Sequence, residues 1–221
     1  MRTVVFDLDG TLADTSGDLI AAANACFEGL GMAAPLDPVR DALTAFAGGR
    51  AMLRLGLSRV GTGWTEATVD AHFPAFLAAY ADAIDVQTRL YPGAVAAVEA
   101  LRAAGFATAI CTNKPEGLAE TLCRRLGIRD LFGALIGADT LPVRKPDPAP
   151  YRAAVLQAGG DPARSMLIGD TVTDRDTARA AGVPVVLVAF GPEGEGVSRL
   201  TPDALLAHYD DLPGIVARLL P

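Results

Sequence analysis

The segment TVVFDLDGTLADT, Thr3–Thr15, passes directly from a run of β-branched and apolar residues into two aspartates and a glycine. The run Thr3–Phe6 is typical of a strand that is buried on both faces of a parallel sheet. Asp7 and Asp9 follow it two residues apart, and two carboxylates facing one crevice are unfavourable unless a cation binds them or one is protonated. Gly10 allows a sharp turn beside a ligand. The segment therefore predicts a strand that ends at a cation site, although an aspartate-rich turn that satisfies only its own backbone has the same pattern.

Four more apolar runs, separated by helical patterns, follow farther along the chain. They predict strands at Phe106–Cys111, Ala134–Gly137, Met166–Ile168 and Val185–Ala189. The patterns between them predict helices at Pro92–Ala104, Gly117–Leu126, Pro148–Ala158 and Thr173–Ala181, each followed by a glycine suited to a left-handed C-terminal stop. This alternation indicates an α/β fold with a doubly wound, Rossmann-like parallel sheet. We interpret the acidic segment Asp203–Asp211 as a closing helix and turn.

The segment between the first two strands is too long for a single crossover helix. It contains several stretches with helical spacing, glycines at the joints and no convincing strand. We therefore predict an all-helical cap domain at residues 14–87, inserted into an α/β catalytic core made of residues 1–13 and 88–221.

Composition and charge exclude several classes of function. A net charge of -7 argues against a general nucleic-acid binder, because phosphate backbones select basic surfaces. No apolar stretch is long enough to cross a bilayer, and no signal peptide is expected, so no membrane partner is predicted. The three cysteines, Cys26, Cys111 and Cys123, form no C-x-x-C pair, which favours a reduced, cytoplasmic setting. The sequence leaves the oligomeric state open.

Polar residues follow the other predicted strands as well, and ligand sites form beyond the carboxyl ends of such strands. Thr112, Lys145 and Asp170 stand in these positions, with Asp174 four residues after Asp170. A few carboxylates, completed by water and a phosphate, suit Mg²⁺. Taken singly, each residue also fits a purely structural role. Thr112 could bond the local backbone, Lys145 could lie on the surface, and Asp174 could cap a helix. Their occurrence together, each after its own strand, favours a common site.

Lysine is almost absent from the chain. Only Lys114 and Lys145 occur, against seventeen arginines. A GC-rich genome accounts for the imbalance, but both lysines follow predicted strand ends. They are therefore candidates for positions where a compact ammonium cannot be replaced by a guanidinium fork.

Four motifs in this order resemble those of the haloacid dehalogenase superfamily, specifically its phosphatase branch with a helical cap inserted after the first motif. They are FDLDGTLADT, CTNKP, RKPDPAPY and IGDTVTDRDTARAAG, and the resemblance covers essentially the whole chain. The combination of DLDGTL with TNKP and KPxP looks most like phosphoglycolate phosphatases. The resemblance implies Mg²⁺-dependent hydrolysis of a small phosphorylated metabolite.

The same resemblance implies a role for each motif residue. Asp7 is expected to attack phosphorus and form a phosphoryl-aspartate, while Asp9 serves as general acid and base and binds the metal through its backbone carbonyl. Thr112, Asn113 and Lys145 are expected to bind the phosphoryl group, and Thr112 and Lys145 count with the two aspartates as catalytic. Asp7, Asp9 and Asp170 would hold the metal, with Asp174 behind them orienting water or Lys145. The role of Lys114 stays open: it either helps to close the site or is only a charged residue in a loop.

Within the predicted cap, Gly49 and Arg50 are the candidates for reading the leaving group, because an arginine binds a carboxylate bidentately. An exposed arginine at a helix start is the alternative. Two other functions stay open: a sugar-phosphate mutase of the same fold, and a non-catalytic phosphate-binding module.

Overall fold

The computed structural model describes all 221 residues, which separate into two compact units. One unit comprises Met1–Asp14 and Leu90–Pro221, and the other comprises Thr15–Arg89. The divisions lie near the predicted domain boundaries, and the role of the second unit as a cap stays a prediction.

Eight strands form one large sheet and one small sheet. They are β1 (Thr3–Phe6), β2 (Ala13–Asp14), β3 (Arg89–Leu90), β4 (Ala107–Cys111), β5 (Ala134–Ile136), β6 (Ser165–Gly169), β7 (Val185–Val188) and β8 (Ala204–Leu206). The large sheet is six-stranded and parallel, with the order β5-β4-β1-β6-β7-β8, and β2 pairs with β3. Strands β1, β4 and β6 are buried along their whole length, as a sheet covered on both faces requires. The predicted doubly wound α/β fold is confirmed.

The chain contains nine α-helices. They are α1 (Ser16–Gly29), α2 (Ala42–Phe46), α3 (Gly49–Val60), α4 (Glu66–Asp82), α5 (Ala94–Ala103), α6 (Glu116–Arg125), α7 (Pro148–Gln157), α8 (Val172–Ala181) and α9 (Leu212–Leu219). The glycines predicted to end four of them in a left-handed conformation all have positive φ, namely Gly105, Gly127, Gly159 and Gly182. No helix combines the length and the apolar character needed to cross a membrane.

The interpretation of Asp203–Asp211 as a closing helix and turn is wrong at its start. Ala204–Leu206 forms β8, an edge strand held by β7, with the Ala189 amide donating to the Leu206 carbonyl at 2.8 Å. A 3₁₀ turn follows at Tyr209–Asp211, and the closing helix begins only at Leu212. Only Leu206 of this strand is buried, so no buried run marks it in the sequence, and its pairing with β7 decides its conformation.

The unit Thr15–Arg89 contains α1 to α4, and one buried carboxylate fastens its two ends together. Asp18, which is 2% exposed, accepts hydrogen bonds from the amides of Gln87 and Thr88 and from the Thr88 hydroxyl, at 2.8 to 3.0 Å. These donors satisfy a charge that would be costly to bury alone. The unit therefore begins and ends at one fixed point.

Candidate active site

The carboxyl ends of β1, β4 and β6 bring the predicted site residues together. Phe6 lies opposite Ile110 on one side and Ile168 on the other, so the residues that follow these strands lie at the same edge of the sheet. The Asp7 amide donates to the Ile168 carbonyl at 2.8 Å, which extends the pairing of β1 with β6 to the nucleophile candidate itself. The strand register alone thus places Asp7 beside Asp170.

Three carboxylates and one ammonium group form the centre of this site. The carboxylates of Asp7, Asp170 and Asp174 offer oxygens that all lie within 4.8 Å of one another. Lys145 Nζ lies 3.0 Å from Asp7 Oδ2 and 2.7 Å from Asp174 Oδ1, with its side chain 1% exposed. One lysine therefore joins the residue after β1 to the residue in α8.

The electrostatics of the cluster disfavour the charged forms of two of its three carboxyl groups. Burial raises the pKa of Asp7 to about 6, with the charges of Asp174 and Asp9 adding to the rise and Lys145 opposing it. Burial, together with Asp174 and Asp7, raises the pKa of Asp170 well above its usual range. The pKa of Asp174 is lowered, because Lys145 outweighs the opposing effect of burial. Burial therefore opposes the charged forms of Asp7 and Asp170, which a bound cation would favour.

Asp174 is positioned by the start of α8. Its Oδ2 accepts from the Thr171 hydroxyl at 2.8 Å and from the amides of Thr171 and Asp170 at 3.1 and 3.2 Å. Thr171 is the N-cap and Asp174 the third helical residue, so the two form a capping box. The alternative that Asp174 is itself the N-cap is wrong. Its other oxygen is left for Lys145.

The loop after β4 carries the predicted phosphate-binding residues. Thr112 is 3% exposed, and its Oγ1 accepts from the Lys114 amide at 3.2 Å. The Asn113 side chain donates to the Lys145 carbonyl at 3.0 Å, which ties this loop to the Lys145–Pro146 segment, where the peptide bond is cis.

The second lysine, whose role the sequence left open, lies in the site. Lys114 Nζ lies 2.8 and 2.9 Å from the two carboxylate oxygens of Asp9, and its side chain is 3% exposed. The Asp9 carboxylate is not one of the three clustered carboxylates. Three sequence signals pointed to Lys114: the scarcity of lysine, its place after a predicted strand and its place in the motif CTNKP.

Two further residues connect to the cluster that the sequence did not single out. The Thr11 hydroxyl donates to Asp170 Oδ1 at 3.1 Å, and the Tyr209 hydroxyl donates to the Thr11 carbonyl at 2.8 Å. Thr11 stands inside the DLDGTL motif, which was the available signal. Nothing in the sequence around Tyr209 links it to this site.

The two residues predicted to read the leaving group lie in the helical unit, at the start of α3. Arg50 forms an ion pair with Asp70 on α4, and its guanidinium carbon lies 4.3 Å from the centre of the Phe73 ring. A Cβ at Gly49 would lie 2.2 Å from the Phe76 ring, so only glycine allows this approach of α3 to α4.

Comparisons with known proteins define the class. The sequence profile of the haloacid dehalogenase-like hydrolases matches residues 1–182, and the chain belongs to this family. The predicted enzyme class, a phosphoric monoester hydrolase, and the predicted resemblance to phosphoglycolate phosphatases are confirmed.

Individual relatives give the extent of the match. The phosphoglycolate phosphatase of Mesorhizobium japonicum is 38% identical over 95% of this chain and 92% of its own length. That of Rhodospirillum rubrum is 40% identical over 97% of this chain and 89% of its own length. Among solved structures, a predicted phosphoglycolate phosphatase from Haemophilus somnus superposes with a TM-score of 0.85, at 25% identity and with 97% of each chain covered.

Proposed function

We propose that the chain hydrolyses a small phosphate monoester in a Mg²⁺-dependent reaction that passes through a phosphoryl group on Asp7. The observation that supports this most is the position of Asp7, whose carboxylate pairs with the ammonium of Lys145 and lies in one cluster with the carboxylates of Asp170 and Asp174. An anionic nucleophile and an anionic phosphate repel each other, so positive charge must lie close to both groups during the attack.

The residues present fit a divalent cation. Asp7, Asp9, Asp170 and Asp174 supply four acids, and Lys114 and Lys145 supply two ammonium groups. If the three clustered carboxylates and Lys145 are all charged, two negative charges remain, which is what one Mg²⁺ neutralises. Oxygen ligands from few carboxylates are also what Mg²⁺ prefers.

Asp7 and Asp170 would hold the ion, with the backbone carbonyl of Asp9 as a further ligand. Asp174 would not bind the ion directly but would orient bound water or Lys145. Once bound, the ion would neutralise charge on the transferring phosphoryl group.

The chain's own residues would then carry the two chemical steps. Asp7 Oδ1 accepts from the Leu8 amide at 2.7 Å and Oδ2 contacts Lys145 at 3.0 Å, so the carboxylate is held in a fixed orientation. In the first step, an Asp7 oxygen bonds to phosphorus as the ester oxygen leaves and takes a proton from Asp9. In the second, Asp9 takes a proton from water, the water oxygen bonds to phosphorus, and the bond to Asp7 breaks.

The remaining polar groups would bind the phosphoryl oxygens. Thr112 and the Asn113 amide stand at the end of β4, the strand next to Asp7, and Lys145 adds its charge. The side-chain bond from Asn113 to the Lys145 carbonyl would keep the two phosphate-binding segments at a constant separation.

Phosphoglycolate is the substrate that we propose, because relatives at 38% and 40% identity carry the name phosphoglycolate phosphatase. Its leaving group bears a carboxylate, for which Arg50 is the candidate partner. The chain offers a matched control, since Arg54 stands one turn later on α3 and pairs with Glu66 as Arg50 pairs with Asp70.

If Arg50 reads the carboxylate, Arg50→Ala lowers kcat/KM on the order of tenfold or more for phosphoglycolate and much less for 2-hydroxyethyl phosphate. Arg54→Ala changes neither. Equal losses for both esters, or the same behaviour in both variants, would remove Arg50 from this role.

The central test measures phosphate release from a panel of phosphomonoesters with Mg²⁺ or EDTA, for the wild type and Asp7→Asn. We expect release that requires Mg²⁺ and disappears in Asp7→Asn, and intact-mass analysis of quenched Asp9→Asn should detect a phosphorylated chain. Full activity of Asp7→Asn, or full activity in EDTA, would overturn the proposal.

A further inference from the structure

The two buried lysines of the site serve different acids. Lys145 contacts Asp7 and Asp174, whereas Lys114 contacts both carboxylate oxygens of Asp9. A buried ammonium is costly unless it is paired, so each lysine is committed to its acid. Lys145 therefore acts on the predicted nucleophile, Asp7, whereas Lys114 acts on the predicted proton donor, Asp9.

Lys114 is itself held in place by its backbone. Its amide donates to Thr112 Oγ1 at 3.2 Å, and its carbonyl accepts from the Ala138 amide at 2.9 Å. Both backbone polar groups of Lys114, the amide and the carbonyl, are thus hydrogen-bonded, which fixes the loop after β4 at this residue. A side chain that starts from a fixed backbone and ends in a bidentate contact can fix its partner.

Asp9 is the acid of the site that most needs such a partner. Its side chain is 18% exposed, against 12% for Asp7 and 0% for Asp174. Proton transfer requires the Asp9 oxygen within hydrogen-bonding reach of the leaving oxygen, so the orientation of this carboxylate matters.

We propose that Lys114 is a positioning residue, which holds the carboxylate of Asp9 at the point where the leaving oxygen needs its proton. This inference rests on the proposed function, in which Asp9 is the general acid. It also explains the retention of lysine at this position in a chain that uses arginine almost everywhere else, because a compact ammonium fits a closed contact with one carboxylate.

The leaving group supplies the test, because general acid catalysis matters only where the departing oxygen is basic. We compare kcat/KM for phosphoryl transfer from 2-hydroxyethyl phosphate and from p-nitrophenyl phosphate in the wild type and Lys114→Met. The quantity kcat/KM isolates the first transfer from the later hydrolysis of the phosphoenzyme. We expect a loss on the order of 100-fold for the alkyl ester and a loss below about fivefold for the aryl ester, whose phenolate leaves without a proton.

A double-mutant cycle with Asp9→Asn adds a second readout. If Lys114 acts through Asp9, Lys114→Met causes no further loss once Asp9 has been replaced. Lys114→Gln, which keeps a neutral N–H donor group, replaces Lys114→Met if the latter does not fold as judged by circular dichroism and thermal unfolding.

Three results would overturn the inference: equal losses for both esters, additive losses in the cycle, or a loss that appears for phosphoglycolate and not for 2-hydroxyethyl phosphate. The last result would assign Lys114 to the substrate's carboxylate. Failure of the proposed function is a different observation, since the wild type would then release no phosphate from any ester.

Discussion

Replacing Tyr209 with phenylalanine removes one hydroxyl group from a residue outside all four sequence motifs, and we expect it to weaken metal binding. The Tyr209 hydroxyl donates to the Thr11 carbonyl, and the Thr11 hydroxyl donates to Asp170 Oδ1. Burial raises the pKa of Tyr209, so the hydroxyl stays protonated and remains a donor. The ring keeps its packing against Phe190, at 5.2 Å between centroids, so the substitution isolates the hydrogen bond.

The size of the effect follows from the position of the bond. Loss of one buried hydrogen bond that leaves a carbonyl unsatisfied costs about 1 to 3 kcal/mol of stability. Removing a direct partner of a metal ligand costs roughly 10- to 100-fold in metal affinity, so Thr11→Val should fall in that range. Tyr209 acts one bond farther away, and we expect the Mg²⁺ concentration for half-maximal activity to rise about three- to tenfold, which corresponds to about 1 kcal/mol.

The assay is Mg²⁺ titration of phosphate release, with thermal unfolding measured in parallel. Tyr151→Phe is the matched control, because Tyr151 is a fully buried tyrosine whose hydroxyl bonds to Ser165 Oγ at 2.6 Å, at the start of β6 instead of its end. Both variants should lose stability, but only Tyr209→Phe should shift the Mg²⁺ dependence. An unchanged Mg²⁺ midpoint in Tyr209→Phe, or an equal shift in Tyr151→Phe, would refute the coupling.

Two further predictions concern the same cluster. Because the pKa of Asp7 is raised in the folded state to about 6, the neutral carboxyl favours folding, and the metal-free protein should lose this contribution as pH rises through about 6. Mg²⁺ should therefore raise Tm more at about pH 7.5 than at about pH 5, and equal shifts in calorimetry would contradict this. In Gly169→Ala the new Cβ would lie 2.3 Å from Asp174 Cγ, so Asp174 moves from Lys145 and kcat/KM should fall on the order of 100-fold. Gly117→Ala, where a Cβ meets open space, should keep full activity, and wild-type activity in Gly169→Ala would contradict the predicted displacement.

The sequence was sufficient for the parallel core and for most of the cluster. Five of the six strands of the large sheet are buried at every residue, and their sequences are rich in apolar and β-branched residues, a local pattern that depends on burial of both faces. Since parallel strands all end at one edge, naming the residues that follow the predicted strands was enough to expect them at a common edge of the sheet. The edge strand β8 was missed because only its last residue, Leu206, is buried, so no buried run marks it, and its conformation comes from pairing with β7.

The partners within the site were decided by the tertiary structure. Lys114 and Asp9 are 105 residues apart in sequence, and Tyr209 and Thr11 are 198 apart. Sequence pattern reports which face of an element is buried, but not which side chains from distant elements lie within hydrogen-bonding distance. A scarce lysine could thus be recognised as unusual from the sequence, whereas its commitment to Asp9 depends on two loops that only the folded sheet brings together.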